Sequence, residues 1–463
     1  MRQMRQGKLY LASVLASAIA VSVALPARAE TMMSAMSYAY SSNPTLNAAR
    51  AEARAVDEGV AQALSGWRPT VTGEASIGQK YTDTDSSIST SSGSSTTTPG
   101  SVGVTVNQPL FRGYRTVNST KQAEAAVRAA HESLRNTEQN VLLQAAQAYA
   151  DVVRDSAIVQ LRNNNLSVLQ EQLKATQDRF EVGEVTRTDT AQARARVSAA
   201  QSQMNAAQAQ LLSSRAVYIQ IIGREPKNLK APQPFTRQIP ASLDQAIAIS
   251  RSDHPAIKAA RYSEESAAFA IKVAEGALLP TLSLQGSMSY NTEPSSTVNN
   301  TFSAQILGVL TVPIYQGGSE YSQIREAKQT RSQRMLEVDV ARAEVQAAVL
   351  SAWGGLQAAR ASILSAQAQI DAASIALDGV REEARVGQRT TLDVLDAQQE
   401  LLDARVSRVI AERDQVVASV SLYSALGRLL ATRIGLSVRE YKPETNARQV
   451  RDKWFGLRTS DGQ

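Results

Sequence analysis

The side chains usually recruited for covalent or metal chemistry are scarce in this chain: its 463 residues include no cysteine and two histidines. His131 falls within a long Ala- and Gln-rich stretch and His254 stands just before Pro255. Neither lies in a nucleophile or metal-ligand arrangement, which leaves them solvated or cap-adjacent structural roles. No phosphate-cradling glycine loop occurs, so the energy for any transport must come from a partner. An enzyme is therefore not expected, and no cofactor is implied. The acids that stand out are Asp189 and Asp393, each following a lone glycine turn, Gly183 or Gly387. At that spacing both fall in the first turn of a helix, where an acid caps exposed N–H groups and complements the helix dipole.

The elements that carry these turns are written twice. Asn43-Pro44, Ala48-Ala49-Arg50 and Trp67-Arg68-Pro69-Thr70 are answered by His254-Pro255, Ala259-Ala260-Arg261 and Leu278-Leu279-Pro280-Thr281, at an offset of 211. Farther on, Gln108-Pro109-Leu110-Phe111-Arg112-Gly113 is answered by Val312-Pro313-Ile314-Tyr315-Gln316-Gly317, Val182-Gly183 by Val386-Gly387, and Gly223-Arg224 by Gly427-Arg428, at an offset of 204. An internal tandem duplication fixes the architecture before any motif is read. The change of offset places the most variable loop between the two prolines of each half.

Residues 114–222 contain a single glycine, Gly183, and no proline, which predicts a helical hairpin with one break. Its first arm would reach roughly 100 Å. Pro313 to Pro443 repeats the pattern with the turn at Gly387, and Gly354, Gly355 and Gly379 are expected weak points. Apolar positions such as Val141, Ala145, Ala148 and Val152, or Leu392, Leu395 and Leu402, recur at helical spacing. The stripe is narrow and alanine-rich, suited to a wall of paired helices more than to a thick core.

Each half also holds two alternating segments of about ten residues. Val71, Gly73, Ala75, Ile77 and Tyr81 share one parity against Thr70, Thr72, Glu74, Ser76 and Lys80; Val102, Val104, Val106 and Leu110 alternate with Ser101, Gly103, Thr105 and Asn107. Leu282, Leu284, Met288 and Tyr290, then Phe302, Ala304, Ile306 and Leu310, continue the pattern. Apolar on one face and small-polar on the other, these suit an outer-membrane barrel; an ordinary sheet with one buried face has the same alternation. Residues 82–101, with 14 Ser or Thr, and 291–301 are expected to be solvated loops.

Arg2, Arg5 and Lys8, the apolar run Leu9 to Leu25 and Ala27-Arg28-Ala29 have the order of a cleavable secretory signal. Without it the net charge falls from +6 to +2, which removes the case for nucleic-acid binding. The expected organisation is a signal peptide at 1–29, a first repeat at 30–223 with a β-hairpin at 69–111, and an equatorial connector at 224–250. A second repeat at 251–430 has its β-hairpin at 280–313, and an equatorial stretch at 431–463 ends in a charged, disordered tail. No later apolar run reaches the roughly 20 residues of a spanning helix, so entry into a membrane would be by strands. Four strands cannot close a barrel, and open edges in hydrocarbon cost several kcal/mol per unsatisfied group. Several chains must share one barrel. Two chains give eight strands and a filled interior; three give twelve and an aqueous lumen, which the small polar inward parity favours.

These features resemble the TolC family of outer-membrane efflux and secretion channels over essentially all of the mature sequence. The two proline-headed repeats carry the resemblance, with the turns Arg179-Phe180-Glu181-Val182-Gly183 and Arg385-Val386-Gly387-Gln388-Arg389-Thr390 and the run Asp393-Val394-Leu395-Asp396-Ala397. The resemblance implies an α+β membrane protein: a homotrimer with a twelve-stranded barrel, four strands per chain, in outer-membrane lipid, continued by a long antiparallel helical barrel in the periplasm. It implies docking, through the turns at Val182, Gly183, Val386 and Gly387, to a periplasmic adaptor and an inner-membrane RND or ABC transporter, with drugs or unfolded polypeptides as cargo. Thr188, Asp189 and Arg389 match the links that close the family's entrance. Asp393 and Asp396 match its ring of carboxylates, whose mutual repulsion would raise their pKa values and favour cations. The family's tyrosine five residues before the arginine is Ala384 here, which leaves the latch differently wired. A periplasmic adaptor and a structural coiled-coil protein of the envelope are the alternatives. The first has a single hairpin, and twin strand pairs count against the second.

Overall fold

The computed structural model describes residues 30–85, 93–235, 239–459 and 462, so the leader reading of 1–29 lies outside the described residues. Both halves of the chain follow one order of elements. In the first, α1 (Met32–Ser42), α2 (Pro44–Leu64), α3 (Arg115–Glu181) and α4 (Arg187–Ile222) are α-helices; in the second, α5 (Leu243–Asp253), α6 (Pro255–Glu275), α7 (Ser319–Arg385) and α8 (Thr391–Ala425) match them in turn. The two long arms are 67 residues each. The duplication reaches back past the prolines: α5, which begins with the amphipathic piece Leu243 to Ile249 of the connector, is the counterpart of α1 at the same 211 offset.

Local sequence sets the helix ends. Asn43 Oδ1 accepts from the Leu46 N–H at 3.2 Å and His254 Nδ1 from the Ala256 N–H at 3.2 Å, each ahead of a proline at the first helical position. The two hairpin turns need glycine: Gly183 and Gly387 have φ of 81° and 80°, a left-handed conformation, with open space where a Cβ would stand. The expected weak points do not break the long arm. α7 runs unbroken through Gly354, Gly355 and Gly379, since glycine costs a helix only about 1 kcal/mol against alanine and pairing with α8 outweighs that.

The described residues form six strands: β1 (Thr70–Ile77), β2 (Lys80–Thr84), β3 (Gly93–Thr97), β4 (Gly100–Arg112), β5 (Thr281–Ser295) and β6 (Val298–Thr311). Four of them form one antiparallel sheet in the order β1-β4-β5-β6, so β4 and β5 join the two repeats. Register sorts the faces. The rows Gly73-Val104-Met288-Ala304, Ala75-Val102-Tyr290-Phe302 and Val71-Val106-Gly286-Ile306 share one side; Thr72-Thr105-Ser287-Gln305 and Ser76-Ser101-Asn291-Thr301 share the other. The apolar face is exposed, with Ile77, Phe302 and Ile306 more than half open. A bulge between Pro109 and Phe111 absorbs the proline that cannot donate to the ladder.

Three expectations need correction. The Ser/Thr-rich stretch is not merely loop: β2 and β3 pair within it as a two-stranded extension, because Thr and Tyr81 favour extended backbone even where no core is available. Most of 291–301 is likewise strand, and Glu293 Oε2 accepts from the Thr98 N–H at 3.0 Å, tying the two loops together. The tail is ordered through a ninth helix, α9 (Pro443–Arg451), which packs on α2. Its Asn446 donates to Asp57 at 2.7 Å, and Arg135 and Glu124 pair with Glu444 and Arg451 at 3.1 and 2.8 Å.

The main core is in the collar, where α1, α3, α4 and α8 meet around Met36, Leu142, Tyr149, Tyr218, Val420 and Leu426. Toward the tip only small clusters remain, Leu166, Leu169, Ala200 and Leu395 in one and Ala373, Leu377, Val394 and Leu401 in the other. The thin wall expected from the alanine stripe therefore describes the hairpin ends, not the collar.

Candidate functional site

The tip where the two hairpins turn holds most of the sequence-selected residues. Beyond Gly183, Thr186 caps α4: its Oγ1 accepts from the Asp189 N–H at 3.3 Å, and the Asp189 carboxylate accepts from the Thr186 N–H at 2.8 Å. Beyond Gly387, Thr390 and Asp393 make the same reciprocal box at 3.2 and 2.9 Å. The Thr hydroxyls add a further bond of 2.8 Å to each carboxylate. Both acids are thereby held below the usual carboxylate range, chiefly by the backbone and hydroxyl donors of Thr186 and Thr390. For Asp393 the cap's donors act against the repulsion expected of a carboxylate ring around the trimer axis, and more directly than any like charge within one chain.

Arg389 turns back on its own helix end and donates to Glu383 at 2.9 Å, a contact that holds its guanidinium charged. Thr188 is exposed, and no bond joins Arg389 to Thr188 or Asp189 among the described residues. Asp396 is paired across the hairpins with Arg196 of α4. In the other turn Arg179 donates to Glu184 at 3.0 Å. Val182 and Val386 stand out into solvent beside their glycines, 72% and 71% exposed, so the apolar points of both turns are free to meet another molecule.

Sequence reasoning missed the partners. Glu383 was readable in principle as an acid one helical turn and a half before Arg389, whereas Arg196 lies 200 residues from Asp396 and carries no local signal. The two histidines differ from each other. His254 is the cap-adjacent residue expected of it, whereas His131 is not solvated: buried against α2, its Nε2 donates to Asp57 at 2.8 Å. Burial of an ionisable ring is tolerated there because the Asp57 carboxylate supplies the partner. The described residues hold no group of His, Asp and Glu placed to bind a metal, and none of their helices is long and apolar enough to cross a membrane.

With this geometry in view, the chain matches the family described as "Outer membrane efflux protein" over residues 35–224 and 246–428. It is 43% identical over 438 residues to the outer membrane efflux protein BepC of Brucella suis biovar 1, covering 94% of each chain. It is 26% identical over 339 residues to the outer membrane protein TolC of Vibrio cholerae, covering 71% of this chain and 77% of that protein. Among solved structures, the CmeC outer membrane channel of Campylobacter jejuni superposes with a TM-score of 0.77 at 17% identity, covering 92% of this chain and 90% of that one.

Proposed function

This chain belongs to the outer membrane efflux protein family, and its function is that of an exit duct through the outer membrane; from that premise we propose how its residues build, close and tune the duct. The observation that carries the reading is the sheet: four strands with an apolar face turned outward and with β1 and β6 each unpaired along one edge. In hydrocarbon such edges must be filled, and three copies filling one another's edges make a closed barrel of twelve strands with Ser, Thr, Asn and Gln on the lumen side. Channels of this family are trimeric and work with adaptor and inner-membrane pump partners, and its members are channels rather than enzymes. Extraction in detergent and insertion into planar bilayers tests the duct: ion-conducting pores are expected, and a water-soluble monomer without conductance would sink it.

At the tip, Arg389, Thr188 and Asp189 serve as the latch. Arg389 has two competing acids, Glu383 at the end of α7 and Asp189 beyond the other turn, of the same or a neighbouring subunit. Exposed ion pairs are weak because water screens them, so a docking partner that offers contacts of its own can exchange one for the other. Val182-Gly183 and Val386-Gly387 are the docking points for the periplasmic adaptor, which links an RND or ABC transporter. Asp393 and Asp396 supply the carboxylate ring, with Arg196 offsetting part of its charge. Arg389→Ser with Asp189→Ala should raise single-channel conductance. Thr186→Ala, which loosens the same cap but keeps the charge, serves as the control, and an unchanged conductance in the double variant removes these residues from the latch. Replacing Asp393 and Asp396 by Ala should abolish block by multivalent cations added from the periplasmic side; block that persists would place the ring elsewhere.

A further inference from the structure

Three exposed large apolar side chains lie within four residues of each other, far in sequence from any strand: Trp454 is 58% exposed, Phe455 87% and Leu457 102%. They form a small loop beyond α9. Gly456, at φ 102°, reverses the chain, and Lys453 Nζ donates to the Arg458 carbonyl, closing the loop at its base. The loop is also held in place. α9 is fastened to α2 and α3 through Asn446–Asp57, Glu444–Arg135 and Arg451–Glu124. Arg68 then donates to the Lys453 carbonyl at 2.9 Å and lays its guanidinium 4.6 Å from the centre of the Trp454 ring.

Arg68 sets the height of the loop. It stands three residues before Val71, the first apolar residue of the outward face of β1, so at about 3.3 Å per residue Trp454 lies roughly 10 Å below the start of the apolar belt. A bilayer's hydrocarbon is about 30 Å thick and about 40–45 Å with its headgroups, so that level is the polar edge of the membrane. Trp at this level is the ordinary interfacial residue, with an apolar body and an N–H for the wet side. Lys453 and Arg458 flank the apolar tip with positive charge against the single acid Asp452, a balance that suits anionic phospholipid headgroups. Arg68, which holds the loop, leads directly into β1, and the two strand entries carry exposed Trp67, Leu278 and Leu279.

We propose that the loop Lys453–Arg458 is an interfacial anchor that seats Trp454, Phe455 and Leu457 in the headgroup layer of the inner, phospholipid leaflet of the outer membrane. By this account α9 is a strap that carries the anchor from the collar to the membrane, and each chain of the duct grips the bilayer outside its barrel as well as through it. The proposal rests on the outer-membrane reading, and its test separates the two.

The chain has no native cysteine, so Phe455→Cys can carry one environment-sensitive NBD fluorophore on the full-length channel. The label goes into nanodiscs of phosphatidylethanolamine and phosphatidylglycerol, some doped with lipids bearing a headgroup nitroxide. The expected result is a blue-shifted emission relative to detergent-free aqueous dye and quenching several-fold stronger than for the same label at Ala372→Cys on α7. Lys453→Glu with Arg458→Glu should weaken that quenching in phosphatidylglycerol discs. Emission at the aqueous position, or a blue shift with no lipid quenching, as burial against a protein would give, overturns the anchor. Single-channel conductance of the labelled protein, read in parallel, reports on the duct independently of the anchor.

Discussion

The two long arms α3 and α7 have the same length and the same place in their repeats, yet they meet the rest of the chain differently. α3 packs against α1, α2, α4, α6 and α8 and buries residues along most of its collar half. α7 packs against α5, α6 and α8 and leaves Leu336, Val340, Leu364 and Ile375 in the open. At the 204 offset the α3 residues in those places are Glu132, Asn136, Gln160 and Glu171. One copy of the repeat has become the inner member that its own chain covers, and the other presents an apolar flank. A flank of that size on an exported chain points to cover from outside, and in a trimeric duct that cover is the neighbouring subunit. Duplication therefore supplied two scaffolds of equal shape, and divergence of the surface residues gave them different partners.

The strongest way to break this comparison is to charge the flank. Leu336→Glu with Leu364→Glu removes about 1.5–3 kcal/mol of apolar burial per site at every interface and strands carboxylates there. Light scattering of the detergent-solubilised protein should then show monomers, whereas Gln160→Glu on α3 should leave the assembly intact; a trimer that survives the double charge would free α7 of this role.

The repeats also differ at the strap. Asp57 and His131 have Ala268 and Met335 as counterparts, so only the first repeat can hold α9. Asp57→Ala leaves His131 and Asn446 buried without their shared acceptor, at a cost of about 2–4 kcal/mol. Lower thermal stability and faster tryptic cleavage at Arg451 are expected, and an unchanged cleavage rate would show that the strap is held some other way.

A third contrast is at the paired caps Asn43 and His254. Burial lowers the His254 pKa from 6.5 to about 4, and the ring must be neutral to accept from Ala256. Its folded value lies below its unfolded one, so as pH falls the unfolded chain takes up the proton first. Its contribution is complete above about pH 6.5 and is lost between there and about 4, by about 1–3 kcal/mol. His254→Asn, which copies the other repeat, should flatten thermal stability across that window; an equally steep loss in the variant would assign it to other groups.

The smallest effects are expected where the repeats agree. Thr186→Ala and Thr390→Ala should each cost about 0.5–2 kcal/mol, seen as faster hydrogen exchange in the first turns of α4 and α8. Equal losses would affirm that the two turns are equivalent, and a loss at only one would mark that turn as held by something besides its cap.

Much of this was legible in the residues because it depends on local rules. A glycine between two long proline-free stretches predicts a helical hairpin, and Asp189 and Asp393 six residues beyond Gly183 and Gly387 predict first-turn caps. Alternation predicts which strand residues share a face, and the register bears that out from Val71 to Ile77 and from Val102 to Val106, but the bulge pairs Phe111 and not Leu110 with Leu282, and Tyr81 falls in β2, outside the four-stranded sheet. The pairing of β2 with β3 is not legible in the sequence because Ser- and Thr-rich composition suggests solvation, although the same residues pair readily once β1 and β4 bring them together. The ordered tail is not legible because its contacts, Asn446 to Asp57 and Lys453 to Arg68, span almost the whole chain.

By itself, the sequence determined the duplication, the helix ends, the strand faces and the need of the sheet for partners, since each follows from a residue's own conformational or solvation preference within a few positions. Only the tertiary structure decided which charges meet: Asp396 with Arg196, Arg389 with Glu383, Asp57 with both His131 and Asn446. Ion pairs form wherever folding brings opposite charges close in space, and no periodicity along the chain records that.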